Sequence, residues 1–209
     1  MAEGLKSGAQ LSVLDVSNLP TVHFGTKSLT WCGIIGMMAI EGMFFVLTIA
    51  SYFYLHSRSV EWPPHENPPM LFWGTLNLAV FLLSAVPTEW YRRRARKGDR
   101  RAVQIGLVIV SLIGVINLVI RYFELRHLNC DWSLDAYGST VWLLMGLHVT
   151  HLLTDLVDTV VLAAVFFTSM VEGKRFMDAS ENADYWYFVI VSWIPIYLVI
   201  YWVPRWLHA

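Results

Sequence analysis

Five long apolar stretches, separated by short polar segments, occupy most of this chain. They run over residues 28–56, 70–91, 102–124, 138–169 and 184–206. Each has the ~20 residues that a helix needs to cross a hydrocarbon core ~30 Å thick at ~1.5 Å per residue. The pattern predicts an all-α fold, a polytopic membrane helix bundle with five transmembrane helices over residues 28–209. Residues 1–27 are polar and are expected to form an N-terminal cytoplasmic tail.

The fourth stretch carries a polar stripe formed by His148, His151, Asp155 and Asp158. At ~100° per residue, these four side chains fall within an arc of about 80° on a helix, so they should face other helices, a partner or a cavity. In the first stretch Glu41 lies near mid-depth, where burying an ionised carboxylate costs at least ~2.5 kcal/mol. We therefore expect Glu41 to be protonated, hydrogen-bonded or paired, and to share a cavity with the two histidines.

Three interpretations of the stripe compete. A metal site is suggested because His148 and His151, with carboxylates nearby, have the spacing of metal ligands, but the sequence lacks supporting Glu-x-x-His pairs. Haem ligation needs histidines deep in two facing helices, and the other five histidines lie in loops or at helix ends. We favour the third, in which Glu41, His148, His151 and Asp155 are bonded to neighbours or line a lipid-filled cleft. No catalytic, cofactor-binding or metal site is therefore assigned to this chain.

Charged residues make up 15% of the chain, well below the roughly one quarter of a soluble domain, and their positions indicate its orientation. With five spans, eleven Lys and Arg residues fall on the side of the N-terminus, and only Arg58, Arg126 and Arg205 on the other. The positive-inside rule predicts a cytoplasmic N-terminus and an external C-terminus in a bacterial inner membrane. The cytoplasmic anchor at the headgroups would comprise Arg92, Arg93, Arg94, Arg96 and Lys97.

Further polar and aromatic residues lie near the ends of the stretches. Arg121 and Glu124 stand three residues apart at the outer end of the third stretch, where they can form an ion pair. The aromatic residues at the ends include Trp62, Tyr91, Trp132, Tyr137, Trp186 and Trp206. Amphipathic rings favour the headgroup level, so these aromatic residues are predicted to lie there and support the span ends independently of the charges.

An ordered set of short motifs resembles subunit III of the haem-copper terminal oxidases. The set comprises Ile40-Glu41-Gly42-Met43-Phe44-Phe45, Tyr54-Leu55-His56-Ser57, Trp62-Pro63-Pro64, Lys97-Gly98-Asp99-Arg100, Tyr137-Gly138-Ser139-Thr140, Gly146-Leu147-His148-Val149-Thr150-His151 and Tyr185-Trp186-Tyr187-Phe188-Val189. The resemblance covers residues 31–206 and is to the short, five-helix form of that family. The chain departs from the family at Tyr187 and Ile190, where histidine and aspartate are usual, and at Arg121, where glutamine is usual.

The resemblance implies a subunit of a cytochrome c or quinol oxidase complex in aerobic respiration, with no catalytic centre on this chain. Haem and copper would lie on partner subunits, and the chain would flank the catalytic subunit I that reduces dioxygen and pumps protons. Other oxidase subunits, or a larger respiratory supercomplex, would be further partners, and nucleic acid would not be one. Such a subunit stabilises the catalytic subunit, orders phospholipid in a cleft and supports proton uptake, with Glu41, His148 and His151 at the cleft. The alternatives are an accessory subunit of a nitric oxide reductase and a stand-alone metal-dependent membrane enzyme that uses His148 and His151.

Overall fold

The computed structural model describes residues 29–63, 68–168 and 173–207, and this part of the chain is built from helices. The helices are α1 (Leu29–Arg58), α2 (Leu71–Ala95), α3 (Arg100–Arg126), α4 (Ala136–Phe167) and α5 (Gly173–Tyr197), followed by a π-helical turn (Leu198–Trp202) and α6 (Val203–Leu207). Five segments are long and apolar enough to cross a membrane, the last formed by α5, the π-helical turn and α6 together. The prediction of an all-α bundle with five transmembrane helices is confirmed. The tail over residues 1–27 lies outside the described residues.

Helix α5 begins well before the apolar stretch that predicts the fifth span. Its first turns carry an ion pair of 3.2 Å between Arg175 Nη1 and Asp178 Oδ2, while Ala179 and Ala183 are fully buried. A helix with one polar and one apolar face forms without being surrounded by hydrocarbon. Hydropathy therefore marked the part of α5 that crosses the membrane and left out an amphipathic extension.

The two ends of the bundle are set by caps and close turns between antiparallel helices. We call the end at which α1 and α3 begin the inner end, and the opposite one the outer end. At the inner end, Gly98 adopts a φ of 71° in the turn between α2 and α3, and the Asp99 side chain accepts a hydrogen bond from Ala102 N of α3. Glycine takes this left-handed conformation without the steric cost of a Cβ. Arg100 donates to the carbonyl of Phe166, which ties the start of α3 to the end of α4.

Helices α2 to α5 form the core, and α1 packs on one side of it against α4 and α5. The core is filled with large side chains such as Phe81, Leu144 and Trp193, none of which is accessible. In contrast, α1 exposes apolar side chains along most of its length, including Met43 and Val46. An apolar outer face suits a helix that borders lipid or another membrane protein.

Four of the aromatic residues predicted to lie at the headgroups are buried inside the protein. Trp186 Nε1 donates to the Ser84 hydroxyl at 2.9 Å, and Tyr91 donates from its hydroxyl to Asn182 Oδ1 at 3.1 Å. Trp62 and Tyr137 pack edge to face with ring centroids 5.3 Å apart. Burial within the bundle does not fix the depth of these rings, so their position at the headgroup level stays a prediction. Trp186 and Tyr91 satisfy their polar atoms through protein partners. Trp132 and Trp206 remain exposed.

Candidate functional site: buried polar contacts and two cavities

The two histidines of the polar stripe contact different neighbours. His148 is fully buried, with Nε2 3.0 Å from the carbonyl oxygen of Val189 and Nδ1 3.1 Å from Nη2 of Arg121. A guanidinium group only donates hydrogen bonds, so Nδ1 of His148 is the acceptor and its Nε2–H donates to the carbonyl. This is the neutral form of the imidazole with both nitrogens occupied. His148 therefore has no nitrogen left with which to bind a metal ion.

Arg121 and Glu124 form the centre of a buried network that joins five segments of the bundle. Arg121 Nη1 lies 2.8 Å from Glu124 Oε2, and its guanidinium carbon lies 3.7 Å from the centre of the Trp193 ring. Glu124 also accepts hydrogen bonds from Asn77 Nδ2 at 2.8 Å and from the Tyr201 hydroxyl at 2.6 Å. The π-helical turn brings Tyr201 to this carboxylate. With the contact of Arg121 to His148, charge, stacking and hydrogen bonds thus connect α2, α3, α4, α5 and the π-helical turn at one point.

Glu41 joins α1 to the rest of the bundle through polar contacts. The hydroxyl of Tyr185 on α5 donates to Glu41 Oε2 at 2.8 Å, and Nε2 of His151 on α4 lies 3.6 Å from the same oxygen. His151 directs Nδ1 toward the carbonyl oxygen of Leu147 at 2.5 Å, so Nδ1 carries the hydrogen and Nε2 faces Glu41. The structure thus places Glu41 beside His151, while His148 belongs to the Arg121 network.

Replacing Glu41 tests the value of this junction. We expect Glu41→Leu to lower the free energy of unfolding by about 1–2 kcal/mol, because the Tyr185 hydroxyl loses its acceptor, and Glu41→Gln to cost less, because the amide oxygen still accepts. Unfolding in mixed micelles is the measurement. The control is Met43→Leu, which changes an exposed side chain two residues away. A Glu41→Leu variant as stable as the wild type would contradict a stabilising contact between α1 and α5.

Asn182 on α5 holds the acidic half of the stripe. Its Nδ2 lies 3.3 Å from Asp155 Oδ1, 3.1 Å from Asp158 Oδ2 and 3.1 Å from the Thr159 hydroxyl. Its Oδ1 accepts the hydrogen bond from Tyr91. Sequence reasoning missed Asn182 because it precedes the predicted fifth span. The signal was available, since Asn182 shares a helix face with the apolar Trp186 and Val189, four and seven residues later.

Two cavities flank α1 near the inner end. The first, about 990 Å³, lies between α1, α2 and α5 and is lined by Arg92 and Arg96 together with apolar side chains such as Trp31 and Phe188. The second, about 620 Å³, lies between α1, α4 and α5 and extends from Glu41 to the inner end. Because α1 separates from the bundle here, both cavities have one wall formed by its first turns.

The basic segment at the inner end is partly paired. Arg92 contacts Asp184 at 2.6 Å and Glu89 at 3.4 Å, and Arg93 contacts Glu89 at 2.7 Å. A longer contact of 3.6 Å joins Arg94 to Asp99, and Arg96 and Lys97 are exposed. This surface therefore combines cations that fix α2 to α5 with exposed cations.

The departures from the family pattern have local explanations. Tyr187 donates its hydroxyl hydrogen between the carbonyl of Ala85 and Oε2 of Glu89, both at 3.2 Å, so it supplies a polar contact between α5 and α2. Ile190 is buried and packs in the apolar core. Arg121 takes part in the buried network described above.

In the part of the chain that the structure describes, no group of three His, Cys, Asp or Glu side chains is arranged to hold a metal ion. No disulfide joins Cys32 and Cys130 in the described part of the chain. Outside the membrane-spanning segments, the backbone N–H and hydroxyl of Ser133 donate to Asp131 and lower the pKa of that carboxyl below its usual range. Asp131 lies in the loop between α3 and α4, at the outer end, remote from both cavities.

These features define a polytopic, all-α membrane protein with a polar network in its core and two cavities beside a peripheral helix. The family model described as cytochrome c oxidase subunit III matches residues 19–205. The chain therefore belongs to the cytochrome c oxidase subunit III family, which confirms the resemblance seen in its motifs.

Individual relatives agree with the family match. The chain is 27% identical over 163 residues to cytochrome c oxidase subunit 3 of Rattus norvegicus, covering 77% of this chain and 62% of the relative. It is 26% identical over 186 residues to that of Drosophila yakuba, covering 85% and 70%. The subunit 3 of Synechocystis sp. is 23% identical over 184 residues, covering 86% and 78%. The chain thus spans about two thirds of the length of the relatives it matches.

Proposed function

We propose that this chain is an integral membrane subunit, without redox centres of its own, of a haem-copper terminal oxidase. The observation that carries the proposal is the family match over residues 19–205, which includes all five spans. The chain would flank the catalytic subunit I, where dioxygen is reduced and protons are pumped, and haem and copper would belong to partner subunits. Its own contribution would be to stabilise that subunit, order phospholipid and support proton uptake.

The larger cavity supports the lipid-ordering part of this proposal. Guanidinium groups of Arg92 and Arg96 line it together with apolar side chains from α1 and α5, including Ile35 and Val191. Arginine binds phosphate oxygens through paired N–H groups, and apolar walls suit an acyl chain. A phospholipid would place its phosphate at the inner end and its chain along α1.

The acidic groups near α1 support the proton-uptake part. Glu41, Asp155 and Asp158 line the smaller cavity, and His151 faces Glu41 on its edge. Carboxyl and imidazole groups exchange protons, and inside a membrane such groups frequently serve proton transfer. These residues would hold protons near the inner surface of a neighbouring subunit.

Co-purification tests the assignment. A tag on the N-terminal tail should recover, in mild detergent, a complex with the absorption of haem and with copper, and its other chains should include an oxidase catalytic subunit. An untagged strain carried through the same steps is the control. Recovery of a nitric oxide reductase would select that alternative, and recovery of the chain alone with stoichiometric bound metal would support a stand-alone metal enzyme.

Orientation is a separate prediction. The excess of Lys and Arg at the inner end predicts that this end faces the cytoplasm and that the C-terminus lies outside. A reporter that is active only in the periplasm, fused after His208, should be active, and the same reporter placed between Lys97 and Gly98 should not. The reverse pattern would mean that the bundle is inserted the other way.

A further inference from the structure

Several carboxylates line the smaller cavity beside α1. Among the described residues, five acidic side chains and one guanidinium, from Arg175, lie along it. Arg175 is held by Asp178 at 3.2 Å and is largely exposed. The larger cavity differs, because its two arginines are accompanied by two carboxylates. Asp155 is buried, and a carboxylate removed from water is costly without a countercharge, so this position favours a cation in the cavity.

Asp155 is the group directed at such a cation. It is 2% exposed, and although Asn182 donates to its Oδ1, its Oδ2 is buried without a hydrogen-bond partner. Asp158 stands one helical turn further along α4 and is bonded to the same amide nitrogen. Asn182 therefore holds two carboxylates side by side and leaves a free acceptor at the cavity wall. A buried acceptor of this kind costs about 1–3 kcal/mol unless a donor reaches it.

The chemistry of the walls selects the kind of cation. Among the described residues, the acidic side chains are not arranged as a set of three around a metal ion. The rest of the lining includes apolar side chains, with Ile34 and Met37 on α1 and Val161 and Val165 on α4. A cation that carries N–H donors and an apolar chain satisfies both parts of this surface. We propose that the smaller cavity binds a primary ammonium group with an attached hydrocarbon chain, the ammonium at Asp155 and Asp158.

Two sources supply this chemistry, the headgroup of an aminophospholipid and a free alkylamine. The proposal deepens the lipid-ordering part of the proposed function, because it assigns a headgroup class to one of the two cavities. It rests on the cavity and not on the identity of the partner subunits. A chain that failed to co-purify with an oxidase would still bind the amine.

The test is photolabelling of the full chain, purified in mild detergent with its native partners. The probes are dodecylamine, dodecanol and dodecyl phosphate, each carrying the same photoreactive group in the chain. We expect the amine to label peptides that contain Ile34 or Val161 at least tenfold more than the other two probes. Paired Asp155→Asn and Asp158→Asn substitutions should reduce this labelling at least tenfold, because the amides keep a similar shape and lose the charge.

Two variants keep the result interpretable. Asp131→Asn is the matched control, since it removes a carboxylate at the outer end and should leave labelling unchanged. Asp158→Asn alone changes an exposed side chain and should weaken labelling even if the paired variant fails to fold. Equal labelling by amine and alcohol, or unchanged labelling in both the single and the paired variant, would overturn the proposal.

Competition identifies the source of the ammonium group. If phosphatidylethanolamine blocks labelling and neither butylamine nor phosphatidylcholine does, the bound ammonium group is that of the lipid headgroup. If butylamine blocks labelling and phosphatidylethanolamine does not, the bound ammonium group is that of a free amine. Equal competition by phosphatidylcholine would contradict the requirement for N–H donors and overturn the primary-ammonium assignment.

Discussion

Arg121→Leu is expected to lower the free energy of unfolding by about 3 kcal/mol, because it leaves Glu124 as a buried charge without its partner. Arg121 is 1% exposed and supplies Glu124 with a hydrogen-bonded cation at 2.8 Å. The substitution also leaves Nδ1 of His148 without its donor and removes the stacking on Trp193. Equilibrium unfolding in mixed detergent micelles, followed by tryptophan fluorescence, is the measurement.

Further variants separate the charge from the packing. Arg121→Gln is expected to cost less than the leucine variant, since a neutral amide can donate to Glu124 without a buried cation. Combining Arg121→Leu with Glu124→Gln should recover part of the loss, because the glutamine carries no charge. Its single carbonyl oxygen can accept from Asn77, and its amide can donate to the hydroxyl oxygen of Tyr201. Arg126→Leu, at an exposed arginine on the same helix, is the control and should have little effect. If the double variant is no more stable than Arg121→Leu, the ion pair is not the source of the loss.

The number of helices could be predicted because it depends on one property, the length of each apolar stretch. Hydrocarbon requires backbone hydrogen bonds to close within a segment, so about 20 apolar residues predict a helix whatever their packing. The same argument does not apply beyond the hydrocarbon. The first turns of α5, with Arg175 exposed and Ala179 buried, are amphipathic and give no hydropathy signal.

The contacts of the polar stripe could be predicted only in part. Helical spacing placed His148 and His151 on one face, and depth placed Glu41 near them. Three residues correspond to a rotation of about 60° on the helix, and this small angle decides which neighbour each ring meets. His148 contacts Arg121 of α3 and Val189 of α5, and His151 faces α1. The positions of the surrounding helices determine which neighbour each ring contacts. These positions cannot be inferred from the spacing of residues within one segment.

The aromatic residues show a second limit. The side chains of Trp186 and Trp206 both have an apolar ring that favours hydrocarbon and an N–H group that favours water. On sequence alone, both therefore fit the headgroup level. In the bundle, Ser84 supplies Trp186 with an acceptor at 2.9 Å, and the ring becomes part of the core. Asn182, which anchors Asp155 and Asp158, was missed for the related reason that polar residues near a span end predict a loop.

Removing this subunit is expected to leave the haem spectra of the oxidase nearly unchanged and to shorten the period over which it stays active. The proposed role of the subunit is confined to packing, lipid and proton supply. The first turnovers should therefore persist in part. Activity should then decay several-fold faster during turnover, since the catalytic subunit loses lateral support and the acidic residues near its proton entry.

Oxygen consumption over successive turnovers, at matched haem content, measures this decay with and without the subunit. A complex that contains Glu41→Gln, Asp155→Asn and Asp158→Asn is the informative comparison, because it retains the helices and removes three of the acidic groups of the smaller cavity. A rate of decay close to that of the wild type would assign the effect to packing. A rate of decay close to that of the depleted complex would assign it to these acidic groups, through proton supply or through the lipid that they bind. Immediate and complete loss of activity with intact haem would show that the subunit carries an indispensable group. Unchanged durability after removal would contradict the supporting role, because a neighbour that supplies lateral contact or protons cannot be removed without a change in the rate of decay.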